Sequence, residues 1–180
     1  MNRILLSAAA LALLAAAPAH AADKGMVSYD ADSPKARELT GEGLTFSYVK
    51  GLLHTRITAV RATAVPVGVT VKPLDDGRIA AKLDRLAGDN ARLGTLYKIA
   101  DAQDAQVMVQ AFCPGSKTGW LSIGPIEHAR PLKVLAFGND PGTGEPKLCA
   151  AMDFQFRGEW RLPDGVNHAD PTDAVFAPDY

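Results

Sequence analysis

Cys113 and Cys149 are the only two cysteines in this chain of 180 residues. Neither has a second cysteine nearby, so there is no C-x-x-C redox pair and no structural-zinc set. Two isolated thiols can join to each other or act alone. A lone Cys113 would form a nucleophilic triad on paper with His128 and Asp140. That arrangement requires the thiol to be free, and the start of the chain argues against it.

Residues 1–21 have the pattern of a secretory signal peptide. Arg3 supplies the positive start. An uninterrupted small-apolar run of 14 residues follows, Ile4 to Ala17, and Ala19-His20-Ala21 gives an A-x-A cleavage pattern. The run is shorter than the ~20 residues of a membrane-spanning helix. No cysteine follows it for lipid attachment, and no Arg-Arg pair precedes it. The expectation is a periplasmic or secreted protein, cleaved after Ala21, with no membrane span afterwards. In an oxidising compartment Cys113 and Cys149 are expected to form a disulfide.

The remaining polar residues make a thin catalytic inventory. His54, His128 and His168 lack metal-motif spacing to one another or to acids, so no metal site and no cofactor is expected. Ser116 lacks the G-x-S-x-G context of an activated serine. Asp101 and Asp104 are too sparse for calcium. Asp75-Asp76-Gly77 reads as turn chemistry. Gly138 to Gly144 is glycine-rich but lacks the Lys-Ser or Lys-Thr of a phosphate loop, and a strand follows it. The aromatic residues are better leads. Trp160 stands between Arg157 and Arg161, and Trp120 follows the loop after Cys113. Tryptophan beside arginine is the composition of a binding hot spot.

Removing residues 1–21 leaves 159 residues, enough for one domain with a core. The net charge of −1 becomes −2 with the loss of Arg3. Charges are well mixed, which excludes the basic stripe of a nucleic-acid binder. Residues 22–43 read as a polar lead-in with one short strand at Met26–Tyr29. Residues 44–161 read as a single globular domain, and 162–180 as a Pro/Asp-rich tail.

Within the domain, Leu44, Phe46 and Tyr48 alternate with polar residues, as a half-buried strand does. Strand patterns follow over Leu52–Ala64 and Val65–Val71. Ile79, Leu83 and Leu86 then recur at helical spacing, and Leu93, Leu96, Tyr97 and Ala100 suggest a second helix. Val107–Cys113 is apolar on both faces and reads as a central strand. Trp120–Ile123, Leu132–Phe137 and Leu148–Phe156 complete the set, with Trp160 just beyond the last strand. In that strand Cys149 shares the parity of Asp153 and Gln155, which places the disulfide on the less apolar face.

These patterns predict an α+β domain: an antiparallel sheet of about six to seven strands with two short helices between its halves. The alternative is an all-β sandwich in which Ile79–Ala87 is a further strand. The functional expectation is an exported, non-catalytic binding or accessory domain acting on a protein or envelope component. The alternatives are a small hydrolase using His128 or His54, and a structural envelope protein.

Overall fold

The computed structural model describes residues 23–51, 55–89, 94–103 and 105–161. Eight antiparallel strands follow one another around a closed barrel. They are β1 Asp23–Ala31, β2 Gly43–Lys50, β3 Thr55–Ala62, β4 Val69–Pro73, β5 Thr95–Ile99, β6 Gly119–Ile123, β7 Leu132–Asn139 and β8 Pro146–Arg161. Each strand pairs with its neighbour in sequence, and β8 returns to pair with β1. Closure leaves no edge strand open to another chain.

This corrects the α+β expectation: the sheet has eight strands and closes on itself. It is also one sheet, not the two of a sandwich. Three segments account for the difference. The short strand expected at Met26–Tyr29 is present but longer, β1 Asp23–Ala31, because it pairs on both sides. The second helix expected around Leu96 is β5, where only Tyr97 and Ile99 are fully buried. The central strand expected at Val107–Cys113 is instead helix α3, Ala105–Phe112. Ala105, Met108, Val109 and Phe112 form its buried stripe, a helical period hidden inside a uniformly apolar run.

Eight strands enclose a space that side chains can fill. Alternate residues do so here: Phe46 of β2, Leu121 and Ile123 of β6, Val134 of β7, and Met152 and Phe154 of β8 belong to one buried cluster. The stripe of α3 joins that cluster and stops one end of the barrel. At the same end α1, Pro34–Thr40, begins at Ser33. The Ser33 hydroxyl accepts from Ala36 N at 3.2 Å and from Asp153 N at 3.1 Å, so one side chain caps the helix and ties it to β8.

A second, smaller core lies outside the barrel. Asp76 caps α2, Gly77–Ala87, by accepting from Arg78 N at 2.9 Å and Ile79 N at 3.2 Å. Ile79, Leu83 and Ala87 face the sheet and cover Trp120, Leu135 and Phe137. The helix predicted from Ile79, Leu83 and Leu86 is therefore present, but Leu86 is turned outward at 39% exposure.

Cys113 and Cys149 form a disulfide, with Cα atoms 5.4 Å apart. It joins the end of α3 to β8. The expected placement on the polar face does not hold. A bulge pairs Ala136 with Ala150 but Phe137 with Leu148, leaving Cys149 between the two registers. The position beside Cys113 Sγ and Ser116 Oγ is Gly138, where a Cβ would have no room. Gly138 alternates with the inward Ala136, so the disulfide and the α3 end share the barrel side of the sheet.

Two outcomes follow for stability. The disulfide spans 36 residues of chain, for which loop-closure entropy gives about 3–4 kcal/mol. Replacing both cysteines by serine should lower the urea midpoint accordingly, and an unchanged midpoint would remove that role. Leu83→Ala should cost about 2–5 kcal/mol because its side chain is fully buried. Leu86→Ala, on the same helix, should stay within roughly 1 kcal/mol in the same measurement.

Candidate functional site

The end of the barrel opposite α1 and α3 brings together polar side chains whose hydrogen bonding is incomplete. It is built from the first residues of β1, the last of β2 and β8, and the β6–β7 loop. Strand β8 decides which residues enter it. Up to Phe156 the inward positions are even-numbered: Ala150, Met152, Phe154 and Phe156. Tyr29 then pairs with Phe156 but Ser28 with Gly158, so Arg157 is an inserted residue. The insertion reverses the parity. Glu159 pairs with the inward Val27, and Trp160 pairs with Met26 on the outer side. Without the bulge, Trp160 would enter the barrel and Glu159 would face solvent.

Glu159 accordingly reaches the interior end of β2. The Tyr48 hydroxyl donates to Glu159 Oε1. Glu159 Oε2 lies 3.6 Å from His128 Nδ1, an ion pair when the imidazole is protonated. His128 comes from the β6–β7 loop. Its turn is closed by Arg130 N donating to Glu127 O at 3.2 Å, with Ala129 at φ 57°. A left-handed alanine costs about 1–2 kcal/mol. The turn holds the His128 ring 4.9 Å from that of Phe156, edge to face.

Phe156 in turn contacts Tyr29 at 5.8 Å between centroids, and Tyr29 contacts Phe46 at 6.0 Å. The three rings Tyr29, Phe156 and His128 thus lead from the core to the surface. Tyr29 is 1% exposed, and its hydroxyl has no hydrogen-bond partner among the described residues. Burial, followed by the charges of Glu159 and Glu127, raises its pKa to about 12. On the far wall Tyr97 accepts from Ile57 N at 3.3 Å, just past the last paired residues of β3 and β4. Burial raises the Tyr97 phenol as well, against the opposing effects of the Ile57 hydrogen bond and the Arg56 charge.

No protein-family model matches the chain, and no curated protein or solved structure does.

The residues singled out in the sequence are distributed as follows. Trp160 is 48% exposed, now inside β8 rather than beyond it, and its ring lies back over Gly158, 3.2 Å from where a Cβ would stand. Arg157 lies on the same outer side and pairs with Asp30 at 3.4 Å. Arg161 ends β8, opposite Gly25. Trp120 is not with them. It is 6% exposed, beneath α2 and toward the other end of the barrel. His54, His168, Asp104 and residues 1–22 and 162–180 lie outside the described residues.

The paper triad of Cys113, His128 and Asp140 is not assembled. Cys113 is oxidised, and it and Asp140 are at the α3 end while His128 is at the other. Ser116 is also at the α3 end, where its hydroxyl donates to Asn139 O at 2.7 Å. Asp140 accepts from Thr143 N and Gly142 N, both at 2.9 Å, and these bonds hold its carboxyl below the usual range. Among the described residues, no group of three His, Cys, Asp or Glu side chains could share a metal ion.

Tyr29, Tyr48, Glu127 and Glu159 were not legible as site residues. Gly158 was the available signal, since an isolated glycine within a strand pattern marks a bulge.

The raised Tyr29 phenol predicts an alkaline sensitivity. Its folded pKa of about 12 exceeds the ordinary 10 of the unfolded chain. The unfolded chain therefore loses its proton first as pH rises. The contribution of the neutral phenol is complete below pH 10 and is lost between pH 10 and about 12. Denaturation midpoints should fall across that window, and less steeply in Tyr29→Phe. Parallel curves for the two proteins would contradict the assignment.

Proposed function

We propose that this chain is an exported, non-catalytic binding domain that engages a protein or envelope component at the end of the barrel opposite α3. The observation that carries the reading is the Arg157 bulge, which leaves Trp160 half exposed beside Gly158 and Arg157. A large exposed aromatic ring next to an arginine suits a contact anchor. The α3 end is closed by its helix and the core side chains packed against it, which leaves the opposite end for binding. Export is supported by the pattern of residues 1–21, and the disulfide is compatible with it.

One observation favours hydrolysis as a second reading: the His128–Glu159 pair, which could orient a general base. Against it, no Ser or Cys side chain is hydrogen-bonded to either member among the described residues. Both reactive candidates, Cys113 and Ser116, belong to the opposite end.

The test begins with capture from periplasmic extract by the mature protein and by Trp160→Ala. Titration calorimetry with the purified partner should then show binding by the first and roughly tenfold or greater weakening in the second. Equal affinity in both would contradict the reading. Turnover of an envelope substrate abolished by His128→Ala would replace it with hydrolysis. Intact-mass measurement checks export independently: the expected mature chain begins at Ala22, and a chain retaining residues 1–21 would contradict it.

A further inference from the structure

The partner's chemistry can be read from what the same end of the barrel lacks. Tyr29 brings a hydroxyl to the Phe156 layer with 1% exposure and no partner among the described residues. A buried polar group left unsatisfied is destabilising, so a ligand that meets it gains affinity. The carboxylates of Glu159 and Glu127 are both near enough to disfavour the phenolate. The hydroxyl therefore lies in a negative potential, which repels an anion and attracts a cation. The rings of Phe156 and Tyr48 border the same place, and aromatic rings can attract a desolvated cation.

Arg56 acts on Tyr97 across the barrel. Arg157 faces outward against Asp30. His128 is the immediate counter-ion of Glu159, but at 3.6 Å it is beyond hydrogen-bond length, and its side chain is 76% exposed. Such a pair is weak and readily displaced.

We propose that this end of the barrel is a cation site that takes a protonated amine or guanidinium group. Glu159 is its counter-ion, the Tyr29 oxygen is a second acceptor, and the rings of Phe156 and Tyr48 are its walls. The incoming cation takes the place of His128 beside Glu159. The inference rests on the proposed binding function and names the chemistry of its ligand. The cation is carried either on a small molecule or on a basic side chain of a partner.

The test is a nuclear magnetic resonance titration of the full mature protein, reading the Trp160 indole and the Gly158 amide. The probes are butylammonium and methylguanidinium, with butanol and butyrate as neutral and anionic controls at matched ionic strength. Saturable shifts are expected with the two cations only. Glu159→Gln should weaken them roughly tenfold or more, and Tyr29→Phe roughly threefold to tenfold. Glu145→Gln, at the α3 end, should change nothing. Circular dichroism and melting establish that each variant is folded. If Glu159→Gln does not fold, Tyr29→Phe carries the decision. A lysine-containing peptide against its acetylated form separates the two sources: preference for the former places the cation on a partner chain. Saturation by butanol or butyrate as strong as by the cations would overturn the cation chemistry while leaving a binding surface there. No response to any probe or peptide would overturn the site, while partner capture dependent on Trp160 would still stand or fall separately.

Discussion

Closure of the barrel depends on β8. This strand of sixteen residues pairs with β7 along its first part and with β1 along its last. A strand with neighbours on both sides must satisfy two registers and keep its apolar side chains inward. Strand β8 meets both demands by slipping twice. The first slip, at Cys149, lets the strand accept the disulfide from α3. The second, at Arg157, rotates its end so that a carboxylate enters and a tryptophan leaves. Between the slips, Ala150, Met152 and Phe154 contribute to the core in plain alternation.

The two ends of the barrel differ because of what each slip admits. At the first end, α3 inserts its apolar stripe, and a dense set of hydrogen bonds fixes the turn that follows. Gln106 and Gln110 both donate to Ser116 O, at 2.9 and 2.5 Å. Asn139 Oδ1 accepts from Lys117 N and Thr118 N, at 2.8 and 2.7 Å. Polar groups there are consumed by structure. At the other end polar groups converge without being fully satisfied: a buried phenol, a carboxylate that turns inward, and an imidazole held by a strained turn. Strain and unsatisfied burial in one place motivate the proposed site, whereas the network at the α3 end is structural.

Much of the sheet was legible in the sequence: alternation is clear in β2 and the middle of β8, and β6 and β7, apolar on both faces, are set off by glycine and proline. The disulfide and the helix around Leu83 were legible for similar reasons: few alternatives, and a clear period. What was not legible depended on non-local pairing. Only Met26–Tyr29 was legible in β1; the strand extends to Asp23–Ala31 because β2 and β8 flank it. Ala105–Phe112 is a helix because the barrel end needs a stripe, although its composition suits a strand equally well. The parity of Glu159 and Trp160 could not be read from the sequence, because alternation carries no information past an inserted residue. Trp120 and Trp160 look alike in sequence, yet one seals α2 onto the sheet and the other stands in solvent.

The slip at Arg157 fixes which way Glu159 and Trp160 face, and tryptophan accessibility reads that out. Acrylamide quenching would be measured on Trp120→Phe, which retains only Trp160, and on Trp160→Phe, which retains only Trp120. Trp160 should be strongly quenched and Trp120 protected. Protection of Trp160 equal to that of Trp120 would place its ring inside the barrel, and would contradict the reversed parity on which the site depends.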